Sequence, residues 1–397
     1  MVARRAVSDG SCVRRRLPAH EAGRGVAAHT RETGRFIFVF TGTIGLVGDI
    51  NLRRCLDTDE TCLDEVAGEL ASVDVRLGNL EGAFAEEAAE EELPFKPGWF
   101  HGQPEMARCL VGRFDAVACA NNVHYGDAIV QSLQVLDQLG IGHAGAGADF
   151  VRARTPAIVS SAAGSVGMLS YTSVFEPSGQ AATATSPGVA TVKALTAYEP
   201  NPRVLQMPGA PALVHTWADP AEMERACRDV RSLRELVDVL VVYLHFGVSM
   251  SPTVHEYQRQ LAHALVDAGA NIVAGSHSHT PGGVEFYGSG VVFYSLGNFV
   301  FNTGFHPDAT RDGVLAKLEI RGSAVRSCTV LPTFRHTSAR ATLVAPPSRE
   351  GARISEMVRS RSEEFHTVVH ASEDGLVLSP PDRAGTHLCE HPATPPH

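Results

Sequence analysis

Polar residues punctuate the ends of short apolar runs in this chain: Asp49, Glu81, the pair Asn121 and Asn122, His245, and the pair His277 and His279. Carboxylate, amide oxygen and imidazole are the mixed O/N donors that suit Mn²⁺, Fe or Zn²⁺, and the absence of thiolates argues against a structural zinc. Counting one asparagine of the pair, these six ligands exceed what one tetrahedral ion requires. Two ions about 3.5 to 4 Å apart could use them, with a shared carboxylate and an activated water facing a phosphorus or carbonyl centre. His277 and His279 carry the most weight, since side chains at i and i+2 of an extended segment point the same way and can meet one metal pair.

Each residue also has a plainer reading. Asp49 after Gly48 suits a turn or cap, Glu81 a solvated loop, and Asn121 and Asn122 the cap of a helix beginning near Asp127. His245 fits a half-buried imidazole at a strand end. Together, rather than singly, these residues suit a metal.

The elements that must position them alternate strand and helix from Phe36 onward, as in an α/β layered fold. "FIFVFTGTIGLVGD" reads as one or two strands, and "DETCLDEVAGELASV" and "PEMARCLVGRF" as helices. Ile129, Leu133, Leu136 and Leu139 form a helical stripe that stops at Gly140. Residues 175–218, rich in Ala, Thr, Ser, Pro and Gly, read as an inserted loop or lid. "VDVLVVYLHFG" and "NIVAGSHSH" follow as strands with a helix between them, and "GVVFYSL" and "VLAKLEI" suggest antiparallel strands. In such folds ligands collect at the carboxyl ends of the strands, where these residues fall.

A chain of 397 residues, 44% hydrophobic, can bury a substantial core. The net charge of −10 has no basic stripe, so nucleic acid is not an expected partner. The eight cysteines show no CxxC pair and read as reduced, structural thiols. No window approaches the run of about 18 apolar residues that spans a membrane. Residues 1–35 hold eight arginines but no apolar h-region follows them, so they read as a disordered leader and the protein as cytoplasmic. The main domain is expected over residues 36–340, with a C-terminal extension at 341–397 ending in a Pro-rich tail.

The stretches "VGDINLRR", "RLGNLEG", "ACANN", "LDQLGIGHAGAG", "YLHFGVSMSPTVHEYQRQLAHALVDAGANIVAGSHSHT" and "FYSLGNFVF", between about residues 40 and 335, resemble the CapA proteins of poly-γ-glutamate capsule systems, which belong with the calcineurin-like metallophosphoesterases. The resemblance implies a four-layered α/β/β/α metallophosphoesterase-like fold and two divalent ions. It matches Asp49, Glu81 (the bridging position), Asn122, His245, His277 and His279 to the family's metal-site motifs. Two positions depart from the pattern. Asn-Asn-His becomes Asn121-Asn122-Val123-His124, which makes His124 the expected general acid, ahead of His101 or His255. Ser276 stands where a further histidine is common, so an outer contact is lost or Ser276 bonds a substrate oxygen.

The expected activity is that of a metal-dependent hydrolase, most simply a phosphoesterase. Its substrate would be a small molecule or a polymer, phosphorylated or γ-glutamyl. An enzyme making or cleaving γ-glutamyl amide bonds and a non-catalytic binding protein of the same fold are the alternatives.

Overall fold

The computed structural model describes residues 40–53, 62–86, 101–301, 311–336 and 340–381. The expected leader at 1–35 and most of the Pro-rich tail lie outside the described residues. The chain runs through β1 (Thr41–Asn51), α1 (Ala67–Ala71), β2 (Val75–Leu80), β3 (Ala116–Ala118), α2 (Ala128–Leu139), β4 (Gly142–Ala144), β5 (Ala146–Gly147), α3 (Phe150–Ala153), β6 (Ala157–Ser161) and β7 (Gly164–Thr172). It continues with β8 (Gly188–Val189), β9 (Ala194–Glu199), β10 (Leu213–Ala218), α4 (Pro220–Arg234), β11 (Val239–His245), α5 (Glu256–Asp267), β12 (Ile272–Ser276), β13 (Val284–Tyr287), β14 (Gly290–Phe293) and β15 (Asn298–Phe301). The last part holds β16 (Asp312–Arg321), β17 (Ala324–Arg335), β18 (Ala341–Leu343), α6 (Arg349–Ser362), β19 (Val368–Ala371) and β20 (Leu376–Ser379).

Two large sheets result. The 10-stranded sheet follows the order β19-β20-β17-β16-β1-β2-β3-β4, with β15 on β1 and β18 on β17, and the 6-stranded sheet the order β13-β14-β12-β11-β7-β6. Alternate residues of both sheets, among them Leu46, Leu77, Val241, Tyr243 and Ala274, bury a shared core between them. The outer face of the first sheet is covered by α1 and α2 through Leu70, Ile129, Leu133 and Leu136, and that of the second by α4 and α5 through Val230, Leu233, Leu261 and Leu265. This helix, sheet, sheet, helix order is the expected four-layered α/β/β/α arrangement.

Local chemistry explains the elements that hold the site. The stripe of α2 faces the core, and Gly140 ends the helix at φ 73, a left-handed cap favouring glycine. In α4, Asp219 accepts from the backbone N–H groups of Ala221 and Glu222, and a proline follows at the first position. Strand β11 is buried at every residue and lies parallel between β7 and β12, so an unbroken apolar run is what its place requires.

Some expectations do not hold. The segment "PEMARCL" forms a 3₁₀ helix at Pro104–Leu110, its only regular structure. Strand β14 is not purely antiparallel: it runs parallel to β12 and antiparallel to β13, because the short β13 hairpin brings the chain back beside β12. Residues 175–218, expected as an inserted loop or lid, hold β8 and the β9–β10 ribbon, whose residues are largely exposed, so that no buried apolar face marks the pairing in the sequence. Cys62 is disulfide-bonded, against the expectation of reduced thiols, whereas Cys109, Cys119, Cys227 and Cys328 are free. Spacing along the chain carries no information about such a bridge unless both cysteines are already placed in space.

A candidate metal centre where two sheets meet

The carboxyl ends of the parallel strands converge from both sheets. From the first come Asp49 in β1, Glu81 just after β2, and Asn121 and Asn122 beyond β3; from the second come His245 at the end of β11 and His277 and His279 beyond β12. The sheets are joined here directly, with Tyr243 Oη donating to Val47 O at 3.2 Å and the His277 N–H to Asp49 Oδ2 at 3.3 Å.

Two trios of ligand atoms form. Asp49, Glu81 and His279 are one, Glu81, His245 and His277 the other, and within each the donor atoms lie within 4.8 Å of one another. Glu81 belongs to both, with Oε1 3.9 Å from His245 Nε2 and 3.9 Å from His279 Nε2. His277 Nδ1 and His245 Nε2 are 3.1 Å apart, and His279 Nδ1 lies 3.4 Å from Asp49 Oδ2. Asp49 is fully buried and Glu81 1% exposed. Carboxylates this deep need a compensating charge, by pairing or by a metal. The donor set therefore fits a divalent ion of the borderline class.

Polar neighbours orient Asp49, His245 and His279. Asn79 Nδ2 donates to Asp49 Oδ1 at 2.7 Å, Ser276 Oγ lies 2.9 Å from His245 Nδ1, and Asn298 Oδ1 lies 3.0 Å from His279 Nδ1. Ser276 thus takes up an outer contact to a histidine. Asn79 and Asn298 were missed among the sequence candidates, yet each follows a glycine within a stretch that ends beside the site, "LGNLEG" and "LGNFVF".

The asparagine pair divides. Asn121 is used by the backbone, its Nδ2 donating to Leu80 O at 2.7 Å and its Oδ1 accepting from the Val123 N–H at 3.2 Å. Asn122 Oδ1 is buried with no hydrogen-bond partner, as an unused ligand oxygen would be.

His124 is fully buried, with Nδ1 3.0 Å from Asn121 Oδ1 and Nε2 buried and unpartnered. Because Asn121 Nδ2 is committed to a carbonyl, its Oδ1 can only accept, so His124 holds its proton on Nδ1 and presents a lone pair at Nε2. Burial, reinforced by His101 and His143, pushes its pKa down to about 3. His101 is also buried, which lowers its pKa, and its Nδ1 has no partner. His255 sits at the N-terminus of α5, where its backbone N–H donates to Gln258 Oε1 at 2.9 Å.

For His279, burial pulls the pKa down, but the Glu81 charge and the Asp49 carboxylate more than reverse this and hold it at about 9. A proton there occupies a nitrogen that a metal would need. Raising the pH from 7 toward 9 should therefore strengthen Mn²⁺ binding, by about tenfold per pH unit for one displaced proton, levelling off above that pH. The metal-free protein should behave oppositely, because stability from a raised histidine pKa is fully present below 6.5 and is lost as pH rises through about 9. Calorimetric titrations and melting curves at a series of pH values would measure both slopes, and a pH-independent affinity would contradict the assignment of His279.

A family model described as "Bacterial capsule synthesis protein PGA_cap" matches residues 43–303. The chain belongs to this family. The PGA_cap match encloses both trios, agrees with the CapA resemblance, and carries the metallophosphoesterase-like fold. The chain is 32% identical over 140 residues to the "PGA biosynthesis protein CapA" of Bacillus subtilis (strain 168), an alignment covering 35% of this chain and 36% of that one. It is 38% identical over 95 residues to the "Capsule biosynthesis protein CapA" of Bacillus anthracis, covering 24% and 23%. A "Probable polyglutamine synthesis accessory protein" of Mycobacterium tuberculosis is 26% identical over 242 residues, covering 58% of this chain and 57% of that one. The alignments to both CapA proteins therefore span well under half of either relative. Among solved structures, a hypothetical protein from Thermus thermophilus aligns with a TM-score of 0.39 and 13% identity, over 73% of this chain and 98% of that one. Among the described residues, no helix is long and apolar enough to cross a membrane.

Proposed function

We propose that this PGA_cap protein is a dinuclear metal-dependent hydrolase of the phosphoesterase type, acting in the formation or trimming of a capsule-like or γ-glutamyl polymer. The observation that supports the reading is the membership of Glu81 in both trios of potential ligands, which would let one carboxylate serve two ions. Asp49 and His279 would complete one ion's protein ligands and His245 and His277 the other's, with Asn122 Oδ1 as the remaining oxygen donor. Mn²⁺, Fe and Zn²⁺ all suit this set. Bound there, two such ions would supply Lewis-acid polarisation of a phosphoryl or carbonyl oxygen and a nucleophile at neutral pH.

The chain's own residues do the rest. Asn79, Ser276 and Asn298 fix the orientation of Asp49, His245 and His279, so that little reorganisation accompanies reaction. His124, held by Asn121, offers a proton-accepting Nε2; to serve as the leaving-group acid it would first have to take a proton from substrate or water. Substrate identity draws on the relatives' names, which concern PGA and capsule biosynthesis. The disulfide at Cys62 fits an oxidising compartment better than the expected cytoplasm.

The test is metal content per chain of wild type and of a His277→Ala, His279→Ala double variant, with hydrolysis of an aryl phosphodiester and of a γ-glutamyl amide followed on the same samples. About two metals in wild type, their loss in the variant and metal-dependent turnover of the ester are expected. Turnover of the amide alone would transfer the assignment to γ-glutamyl chemistry, stoichiometric metal without turnover to a binding role. Negligible metal in both folded proteins would end the dinuclear reading.

A further inference from the structure

The loop that carries His277 and His279 is strained. Their φ angles are 89° and 54°, in the left-handed region that non-glycine residues avoid. Each such residue costs on the order of 1–3 kcal/mol and persists only where surrounding contacts over-determine it. Within the loop, the Ser278 hydroxyl donates to Thr280 O at 3.0 Å and the Met250 N–H to Ser278 O at 3.0 Å.

Asp49 accepts from the His277 N–H and Asn298 meets His279, and a further hold comes from outside the residues matched by the family model. Arg361, near the end of α6, donates through Nη1 to Thr280 Oγ1 at 2.9 Å and to the carbonyl of Pro281. The helix is itself anchored. Ser348 caps its start, Ile354 and Val358 are buried in the core between the sheets, and Ser362 Oγ accepts from the Val284 N–H at 3.0 Å. The packing leaves no slack at its end, since a Cβ on Gly283 would stand 2.2 Å from Arg361 O. A fixed guanidinium therefore grips the residues immediately after His279.

We propose that Arg361 is a positioning residue for the metal centre: by fixing Thr280 and Pro281 from α6 it holds His277 and His279 in the strained conformation that aims both imidazoles at Glu81. This rests on the dinuclear reading above. Loss of outer partners bonded directly to the ligands costs about 10–100-fold in metal affinity, and Arg361 acts one contact further out, through Thr280 and Pro281, so the lower end of that range applies.

The experiment titrates metal-free wild type, Arg361→Met, Arg361→Lys and Thr280→Val with Mn²⁺ by calorimetry and records the visible spectrum of each Co²⁺-loaded form. Methionine keeps the apolar stem and removes the donors. Arg361→Met is expected to weaken Mn²⁺ binding about tenfold and to alter the Co²⁺ spectrum, with lysine recovering part of the affinity. A lowered melting temperature of metal-free Arg361→Met with wild-type Mn²⁺ affinity and spectrum would show a purely structural role and overturn the proposal. Should Arg361→Met fail to fold, Thr280→Val decides by the same two readouts. Absence of Mn²⁺ binding by wild type would remove the dinuclear reading and this inference with it, whereas normal binding by every variant removes this inference alone.

Discussion

Glu81→Gln is expected to empty both metal positions at once, reducing the metal content from about two per chain to near zero and hydrolysis by about a thousandfold or more. The substitution keeps the shape of the side chain but removes its charge and replaces one of its two ligand oxygens by an NH₂ group. His279→Ala, by contrast, touches one trio and should leave a single ion on Glu81, His245 and His277. Elemental analysis of the two variants beside wild type separates these outcomes, with circular dichroism of the metal-free forms as the check on folding. Two retained ions in Glu81→Gln, or equal losses in the two variants, would mean that the carboxylate is not shared.

The second large effect concerns stability. Gly48 and Gly297 precede Asp49 and Asn298, and a Cβ on Gly48 would stand 1.9 Å from Gly297 O, the atom that accepts the Asp49 N–H at 2.9 Å. No side chain can yield there, because the obstacle is backbone. Gly48→Ala should cost more than about 4 kcal/mol, at the diagnostic end of single-substitution effects, and prevent parallel pairing of β15 with β1. Gly68→Ala is the control: it is exposed, meets nothing within 4 Å and lies in α1, so alanine should stabilise by about 0.5–1 kcal/mol. Urea unfolding of both settles the comparison, and a Gly48→Ala protein as stable as wild type would refute the close approach.

The layered fold and the residues gathered at the candidate site were legible in the sequence because they depend on local signals, apolar runs ending in polar residues. The parallel strands β1, β2, β3, β11 and β12 all end beside residues singled out that way. What could not be read was conformation and partnership. His277 and His279 do not converge by alternation along a strand, since β12 stops at Ser276 and both residues turn through left-handed backbone. Their meeting is instead imposed by contacts with residues far away in the chain. Asn79 and Asn298 escaped for a related reason: each hydrogen-bonds a candidate ligand, and only the folded distances distinguish an orienting amide from an ordinary turn residue. The ribbon β9–β10 and Gln180 show the same limit. The Gln180 amide is fully buried and donates to Asn121 O and His124 O at 3.2 and 2.8 Å, tying the segment expected to be a lid to the floor of the site.

The ligands of each trio are drawn from both sheets, so ions bound at the proposed site would act as rivets between the two halves of the sandwich. Their occupancy would then count toward folding: an ion present at a hundred times its dissociation constant adds about 2.7 kcal/mol. A cell short of metal would therefore hold this protein in a looser and more easily digested form, so that its abundance as well as its activity would follow the metal supply.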